Sequence, residues 1–326
     1  MTQNQGRVAA VVVTYNRLDK LKVTVDRLLE SPAEHLSHLI VVDNASTDGT
    51  ADWLSGLADP RVEILTLPEN LGGAGGFEAG MRHATETYDP EWIVVMDDDA
   101  RPEPGTLTRF HARDRTGYDA WAAAVWYPAE TYPEGRFCEM NRPWVNPFWH
   151  GDSFWKTMLR GRDGFHIDPA HYRAEEPLPI DGGSFVGFFF SRRAVQLAGY
   201  PDARLFIYGD DVLYTLGLSA AGGTTAFDPE LRWEHDCGTY ADDKARVFSP
   251  AWKIYYAHRN SLMFYRAASG RAFPLVLPVI LAKWALSTRR YRGQRMRFLR
   301  LMTRGVSHGL RGRLDATHRQ VMDWAR

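Results

Sequence analysis

Three short, unbroken apolar runs, each closing on polar residues, limit what this chain can fold into. They are Val8–Thr14 (VAAVVVT), Leu39–Val42 (LIVV) with Asp43 behind it, and Trp92–Met96 (WIVVM) running into Asp97-Asp98-Asp99. Runs of this length without internal polar residues suit strands covered on both faces, as in parallel sheets. Between them, Leu18–Glu30 repeats apolar residues at helical spacing, and Asn44-Ala45-Ser46-Thr47 supplies cap and turn chemistry ahead of a helix predicted from Asp48. Val62–Leu67 predicts a further strand. Strands alternating with helices imply right-handed βαβ crossovers and a mostly parallel α/β sheet. Such sheets bind ligands at the carboxyl ends of their strands. Here those ends carry Thr14-Tyr15-Asn16, Asp43-Asn44 and Asp97–Asp99, which are predicted to share one rim.

The 326 residues are enough for one large α/β domain or two smaller ones, and 44% hydrophobic with 24% charged residues excludes a wholly disordered chain. The two cysteines, Cys138 and Cys237, lie far apart in sequence, which argues against a disulfide scaffold or a cysteine-built structural zinc site and fits a reducing compartment. Met1–Arg7 is polar and lacks a signal-peptide layout, so a cytoplasmic location is expected. Trp121–Tyr172 reads as irregular and aromatic, holding five of the 11 tryptophans. Regularity resumes with a strand at Ser184–Phe190, a helix at Arg192–Ala198, a helix opened by Gly209-Asp210-Asp211 and a strand at Thr224–Phe227 that leads to Trp233-Glu234-His235. From Trp252 the chain reads helical. The expected division is a catalytic region at 1–245, with an aromatic-rich insertion at about 121–178, and a helical, basic region at 246–326.

The aspartate triplet is the most informative feature. Side chains alternate along an extended chain, so Asp97 and Asp99 are predicted to face one side. Two converging carboxylates repel unless a cation sits between them, and hard divalent cations take such oxygen ligands. A solvated acidic turn after a buried strand is the plainer alternative. In Asn70-Leu71-Gly72-Gly73-Ala74-Gly75-Gly76 the glycines allow close backbone approach to a phosphate, with an amphipathic helical stretch predicted at Phe77–Thr87; a flexible turn reads equally well. A Rossmann dehydrogenase places its glycines directly after the first strand, where this chain has Thr-Tyr-Asn-Arg. A sugar-nucleotide nucleotidyltransferase needs a glycine-rich signature with a basic residue at that same point. Asp43 is either a ligand for a nucleoside or a helix cap. Asp210 and Asp211 either complement a helix dipole or supply a general base for an acceptor hydroxyl. His235 is either structural or completes an oxygen-rich metal site. The tryptophans either pack a small subdomain or stack on an acceptor, Trp155 being the expected substrate contact.

In order along the chain, VVVTYNR, LIVVDNASTDGT, ENLGGAGGFEAGM, WIVVMDDDA, LFIYGDDVLY and WEHD resemble the inverting family 2 glycosyltransferases of the GT-A fold, over roughly Val8 to Tyr240. NLGGAGGF, FIYGDD and the later histidine look most like bacterial galactofuranosyltransferases; rhamnosyltransferases using a dTDP-sugar share much of the pattern. The resemblance implies that Thr14, Tyr15, Arg17, Asp43 and Asn70 hold the nucleoside of a UDP- or dTDP-sugar, with Gly72, Gly73, Asp97 and Asp98 also meeting the donor. Asp97, Asp99 and His235 would bind Mn²⁺ or Mg²⁺, and Asp211 would be the catalytic base, with Asp210 in reserve. Because the triplet is Asp-Asp-Asp, the chelating pair follows from strand alternation and not from the motif. An inactive glycan-binding module on this scaffold would have lost these acids, and all are present.

The net charge of −1 conceals an asymmetry. Residues 287–326 hold eleven arginines, no lysine and two aspartates, an excess of nine positive charges that leaves the remaining 286 residues ten negative. Just before them, Phe273–Leu286 (FPLVLPVILAKWAL) is apolar but shorter than the roughly 20 residues that span a bilayer. An apolar helix beside an arginine cluster is expected to lie in an anionic membrane surface, consistent with a lipid-linked acceptor and with no nucleic-acid partner. A core helix with a solvated basic face is the alternative.

Overall fold

A computed structural model describes residues 7–237 and 247–326. The predicted junction at 245/246, and the end of the motif series at Tyr240, lie outside the described residues. β1 (Val8–Thr14), β2 (His38–Asp43), β3 (Val62–Thr66) and β4 (Trp92–Asp97) lie parallel in the order β3-β2-β1-β4. They are linked by α1 (Leu18–Leu29), α2 (Thr50–Ser55) and α3 (Gly72–His83). Next come β5 (Ala100–Pro102), α4 (Thr106–Ala112), β6 (Ala120–Trp126), α5 (Gly151–Arg160) and α6 (Arg162–Phe165). The chain then returns through β7 (Leu178–Ile180), β8 (Phe188–Ser191), α7 (Arg192–Ala198), α8 (Asp210–Ala220) and β9 (Thr225–His235). β8 runs antiparallel between β4 and β6, β9 lies parallel to β6, and β5 and β7 each pair antiparallel with β9. The result is the GT-A type of α/β sheet, parallel in its first half and mixed in its second.

All seven positions of β1 are buried, as its composition requires. Val8, Ala10 and Val12 face one core with Leu21, Val25 and Leu28 of α1, while Ala9, Val11 and Val13 face another with Phe77 and Met81 of α3. The strand's twofold alternation thus divides one apolar run between two layers.

Two sequence expectations are corrected. The glycine run is not a loop ahead of a helix at Phe77: the helix starts at Gly72 and contains it. A Cβ on Gly76 would stand 2.4 Å from Val13 Cγ1, so the missing side chains let α3 lie directly on β1. That packing outweighs the poor helix propensity of glycine. The irregular segment, expected from Trp121, begins only after Trp126. Ala120–Trp126 is an interior strand whose alternation places Trp121, Ala123 and Val125 in one core and Ala120, Ala122, Ala124 and Trp126 in the other.

The C-terminal helices are α9 (Lys253–Ser269), α10 (Phe273–Ser287), α11 (Arg295–Arg311) and α12 (His318–Ala325). Ile254, Tyr255 and Tyr256 of α9 cluster with Phe298 and Leu301 of α11, Val321 of α12, and Phe206 from the loop before α8.

Candidate active site

β4 ends on Asp97, and after a two-residue turn β5 pairs with the end of β9, placing Ala100 opposite His235. This register sets His235 beside the triplet. Ligand atoms of Asp97, Asp99 and His235 all lie within 4.8 Å of one another. His235 Nε2 stands 3.2 Å from Asp99 Oδ1, and His235 Nδ1 is 2.8 Å from Asn141 Oδ1, which orients the ring. That approach is an ion-pair contact, and among the described residues the buried Asp99 Oδ1 has no hydrogen bond. A buried carboxylate oxygen without a partner costs free energy unless something else fills the place. The donor set, two carboxylates and an imidazole, suits a divalent cation.

Asp98 turns the other way. Its Oδ2 accepts from Thr14 Oγ1 at 2.8 Å, its Oδ1 from Arg17 Nη1 at 3.2 Å, and its backbone carbonyl from Thr24 Oγ1 at 2.7 Å. Thr14, expected at the nucleoside, is itself buried and spends its hydroxyl on Asp98. Arg17 also reaches Asp99 Oδ2 at 2.6 Å. Lys253, in the first turn of α9, is close enough for the Arg17 charge to depress its pKa further, beyond the effect of burial. The triplet is thus faced by the positive charge of Arg17, a residue distant in sequence.

These surroundings polarise the acids. Burial, reinforced by the Asp99 charge, raises Asp97. Burial lifts Asp98 to about 6 despite Arg17. Burial would raise Asp99 too, but contact with His235 and the charge of Arg17 prevail and hold it low. Burial disfavours the His235 charge, yet Asp99 holds its pKa high.

The second acid pair sits at the start of α8, delivered by a loop in which Phe206 and Tyr208 both have φ 66° and Gly209 has φ 84°. Non-glycine residues pay a conformational cost there and need outside support. α9 supplies it. Asn260 Nδ2 donates to the carbonyls of Leu205 (3.0 Å), Ile207 (2.9 Å) and Tyr208 (2.7 Å). Arg259 donates to the carbonyls of Arg204 and Leu205 and, through Nε, to Asn260 Oδ1 at 2.7 Å. Burial, then the Asp211 charge, and further Asp97 across the site, raise Asp210 well above a usual carboxyl. The two acid groups therefore share one electrostatic environment. Burial lifts Asp211 to about 6.

The other expected donor contacts lie at the ends of β1, β2 and β3. Tyr15 is exposed, while Asp43 is buried with Oδ1 accepting from Ser46 N at 2.9 Å, a turn contact. Asn70 Oδ1 accepts from Gly72 N, and Asn44, not singled out from sequence for this role, grips both Leu71 N and the Gly72 carbonyl. Gly72 is buried with φ 72°; a Cβ there would fall 2.0 Å from the Phe206 carbonyl oxygen, so it couples the glycine helix to the acid loop. Gly73 has open space around it. Trp155 is 66% exposed on α5 and its ring meets Phe154; no described contact joins it to the acids. Asn141, Lys253, Arg259 and Asn260 went unsuspected because each acts on residues remote in the chain and none belongs to a local motif.

The family model for glycosyl transferase family 2 matches residues 9–169. Galactofuranosyltransferase GlfT1 of Mycolicibacterium smegmatis is 30% identical over 234 residues, 71% of this chain and 72% of that protein. Its Mycobacterium tuberculosis counterpart is 32% identical over 243 residues, 71% of each. An undecaprenyl-phosphate mannosyltransferase of Micrococcus luteus is 40% identical over 115 residues, 34% of this chain and 45% of that one. Among solved structures, GalNAc-T7 with UDP, GalNAc and Mn²⁺ superposes with TM-score 0.53 at 17% identity, covering 72% of this chain and 44% of that one. S. aureus TarS 1-349 superposes with TM-score 0.51 at 13% identity, covering 95% and 88%.

Proposed function

The chain belongs to glycosyl transferase family 2, and we propose that it moves galactofuranose from UDP-galactofuranose to a hydroxyl of a lipid-linked or polysaccharide acceptor, with inversion, in the synthesis of a cell-envelope glycan. The relatives of matching length support the donor, and the mannosyltransferase named for undecaprenyl phosphate supports a lipid-linked acceptor. The observation that carries the reading is the convergence of Asp97, Asp99 and His235 around a buried carboxylate oxygen that lacks a hydrogen bond among the described residues, in the field of the Asp210–Asp211 pair.

In this mechanism Asp97, Asp99 and His235 would hold Mn²⁺ or Mg²⁺, which would neutralise charge on the leaving diphosphate. Arg17 adds fixed positive charge on the same side. Asp211 accepts the proton of the acceptor hydroxyl. The acceptor oxygen bonds to the anomeric carbon from the face opposite the nucleotide as the bond from that carbon to the diphosphate oxygen breaks. Asn141 keeps the His235 ring in place, and Thr14 with Arg17 keeps Asp98 turned away from the cation site. The enzyme works at the inner face of the cell membrane, docked through α10 and the arginines that follow it.

A thermal-shift panel of UDP, dTDP, GDP and NAD, each with and without Mn²⁺, tests the reading. UDP at a hundredfold excess over its Kd is expected to add about 2.7 kcal/mol of stability, and to require the metal for its full effect. Stabilisation by NAD or dTDP in place of UDP, or a UDP effect indifferent to metal and to EDTA, overturns it.

A further inference from the structure

His235 belongs to a second cluster. Cys138 follows β6 across the sheet rim, Cys237 lies two residues beyond His235, and ligand atoms of all three fall within 4.8 Å of one another, every residue buried. The sequence separates the two cysteines by 99 residues, yet the fold brings their sulfurs to 3.8 Å. Two thiolates on one tetrahedral Zn²⁺, each bonded at about 2.3 Å, stand about 3.8 Å apart. A disulfide would need about 2.05 Å. The donors also differ in kind from those of the neighbouring cluster: thiolates select soft ions, carboxylates hard ones, and imidazole serves both.

We propose that Cys138, Cys237 and His235 form a binding site for Zn²⁺ or a similarly soft divalent ion, and that its occupation withdraws His235 from the hard-cation site and inhibits transfer. Binding releases the two S–H protons and the imidazolium N–H proton of His235 to solvent, forms two metal–sulfur bonds and one metal–nitrogen bond, and leaves the fourth position to water; nothing is oxidised or reduced. The inhibition, though not the binding, rests on Asp97, Asp99 and His235 serving as the hard-cation site.

Co²⁺ titrated into the reduced full-length protein in excess Mg²⁺ reports thiolate ligation through a sulfur-to-cobalt charge-transfer band in the near ultraviolet. One equivalent is expected to develop the band, Zn²⁺ to abolish it, and Cys138→Ser to weaken Co²⁺ affinity at least about tenfold. Zn²⁺ is expected to inhibit Mn²⁺-supported transfer by the wild type and at least about tenfold less potently in Cys138→Ser. Zn²⁺ protection of both thiols of the wild type against alkylation reads the same site without a variant. No band at stoichiometric Co²⁺, or one undiminished in Cys138→Ser, overturns the site. A normal band with Zn²⁺-indifferent transfer overturns the sharing of His235. A normal band in a protein that UDP fails to stabilise leaves the site standing and rejects the transferase reading instead.

Discussion

Asp97, Asp98 and Asp99 are consecutive, yet Asp97 ends β4 and the other two form a turn, in which Asp98 meets Thr14 and Arg17 while Asp99 also meets Arg17 and lies with Asp97 near His235. Alternation in an extended chain predicts the same division, but Asp98 and Asp99 lie in a turn, so strand geometry was legible only as far as Asp97. What set His235 beside them was not, since it depends on β5 pairing with β9. The same logic applies to Asp211. Its place at a helix start could be read from Gly209-Asp210-Asp211, but its burial could not, and burial is what lifts its carboxyl to about 6. The base must be ionised to accept a proton. As pH falls through about 6 the protonated, inactive form takes over, and kcat should decline about tenfold per pH unit. Asp211→Asn should retain UDP binding and lower kcat by about 10²- to 10⁴-fold. A wild-type profile flat down to pH 4.5, or wild-type-like turnover by the variant, would remove Asp211 from the role.

At the level of elements, continuous apolar strands announced themselves, whereas α3 and β6 did not. A helix rich in glycine and a strand with four alanines in seven residues contradict their local propensities and exist because of close packing on β1 and on both core layers. The segment from Arg204 to Gly209 is likewise a tertiary product. Its left-handed residues persist because Asn260 and Arg259 occupy its carbonyls. Asn260→Ala leaves three carbonyls without that donor; an unsatisfied buried group costs about 1–3 kcal/mol. The loop should then relax and carry the acid pair with it. Expected is a fall in kcat with little change in the UDP Kd, because the residues proposed for the donor at the ends of β1 and β2 take no hydrogen bond from Asn260. Equal losses in both quantities, or none in kcat at a temperature where the variant is folded, would show that the amide is merely structural.

Across the whole molecule, the helical run Lys253–Arg290 is long and apolar enough to cross a membrane by length and composition, more than the 273–286 stretch alone. Its two halves differ, however. α9 is buried against the acid loop and α11, while α10 shows Leu275 (80% exposed) and Val279 (68% exposed) to the outside, and Arg289 and Arg290 follow its C-terminal end. An apolar face bordered by arginine matches an anionic bilayer surface. Burying a leucine or valine is worth about 1.5–3 kcal/mol, so replacing both by glutamate should weaken binding to phosphatidylglycerol vesicles by about a hundredfold or more. Co-sedimentation with such vesicles measures it, and equal pelleting of the two forms refutes docking through α10. Point changes are the right tool, because α11 lies so close that a Cβ on Gly309 would be 2.8 Å from the Arg259 carbonyl oxygen. Removing the tail would therefore strip the support from α9 and, through Asn260, from the acid loop. In genetic terms, a late nonsense codon in this gene is expected to disturb the proposed active site as well as the tail.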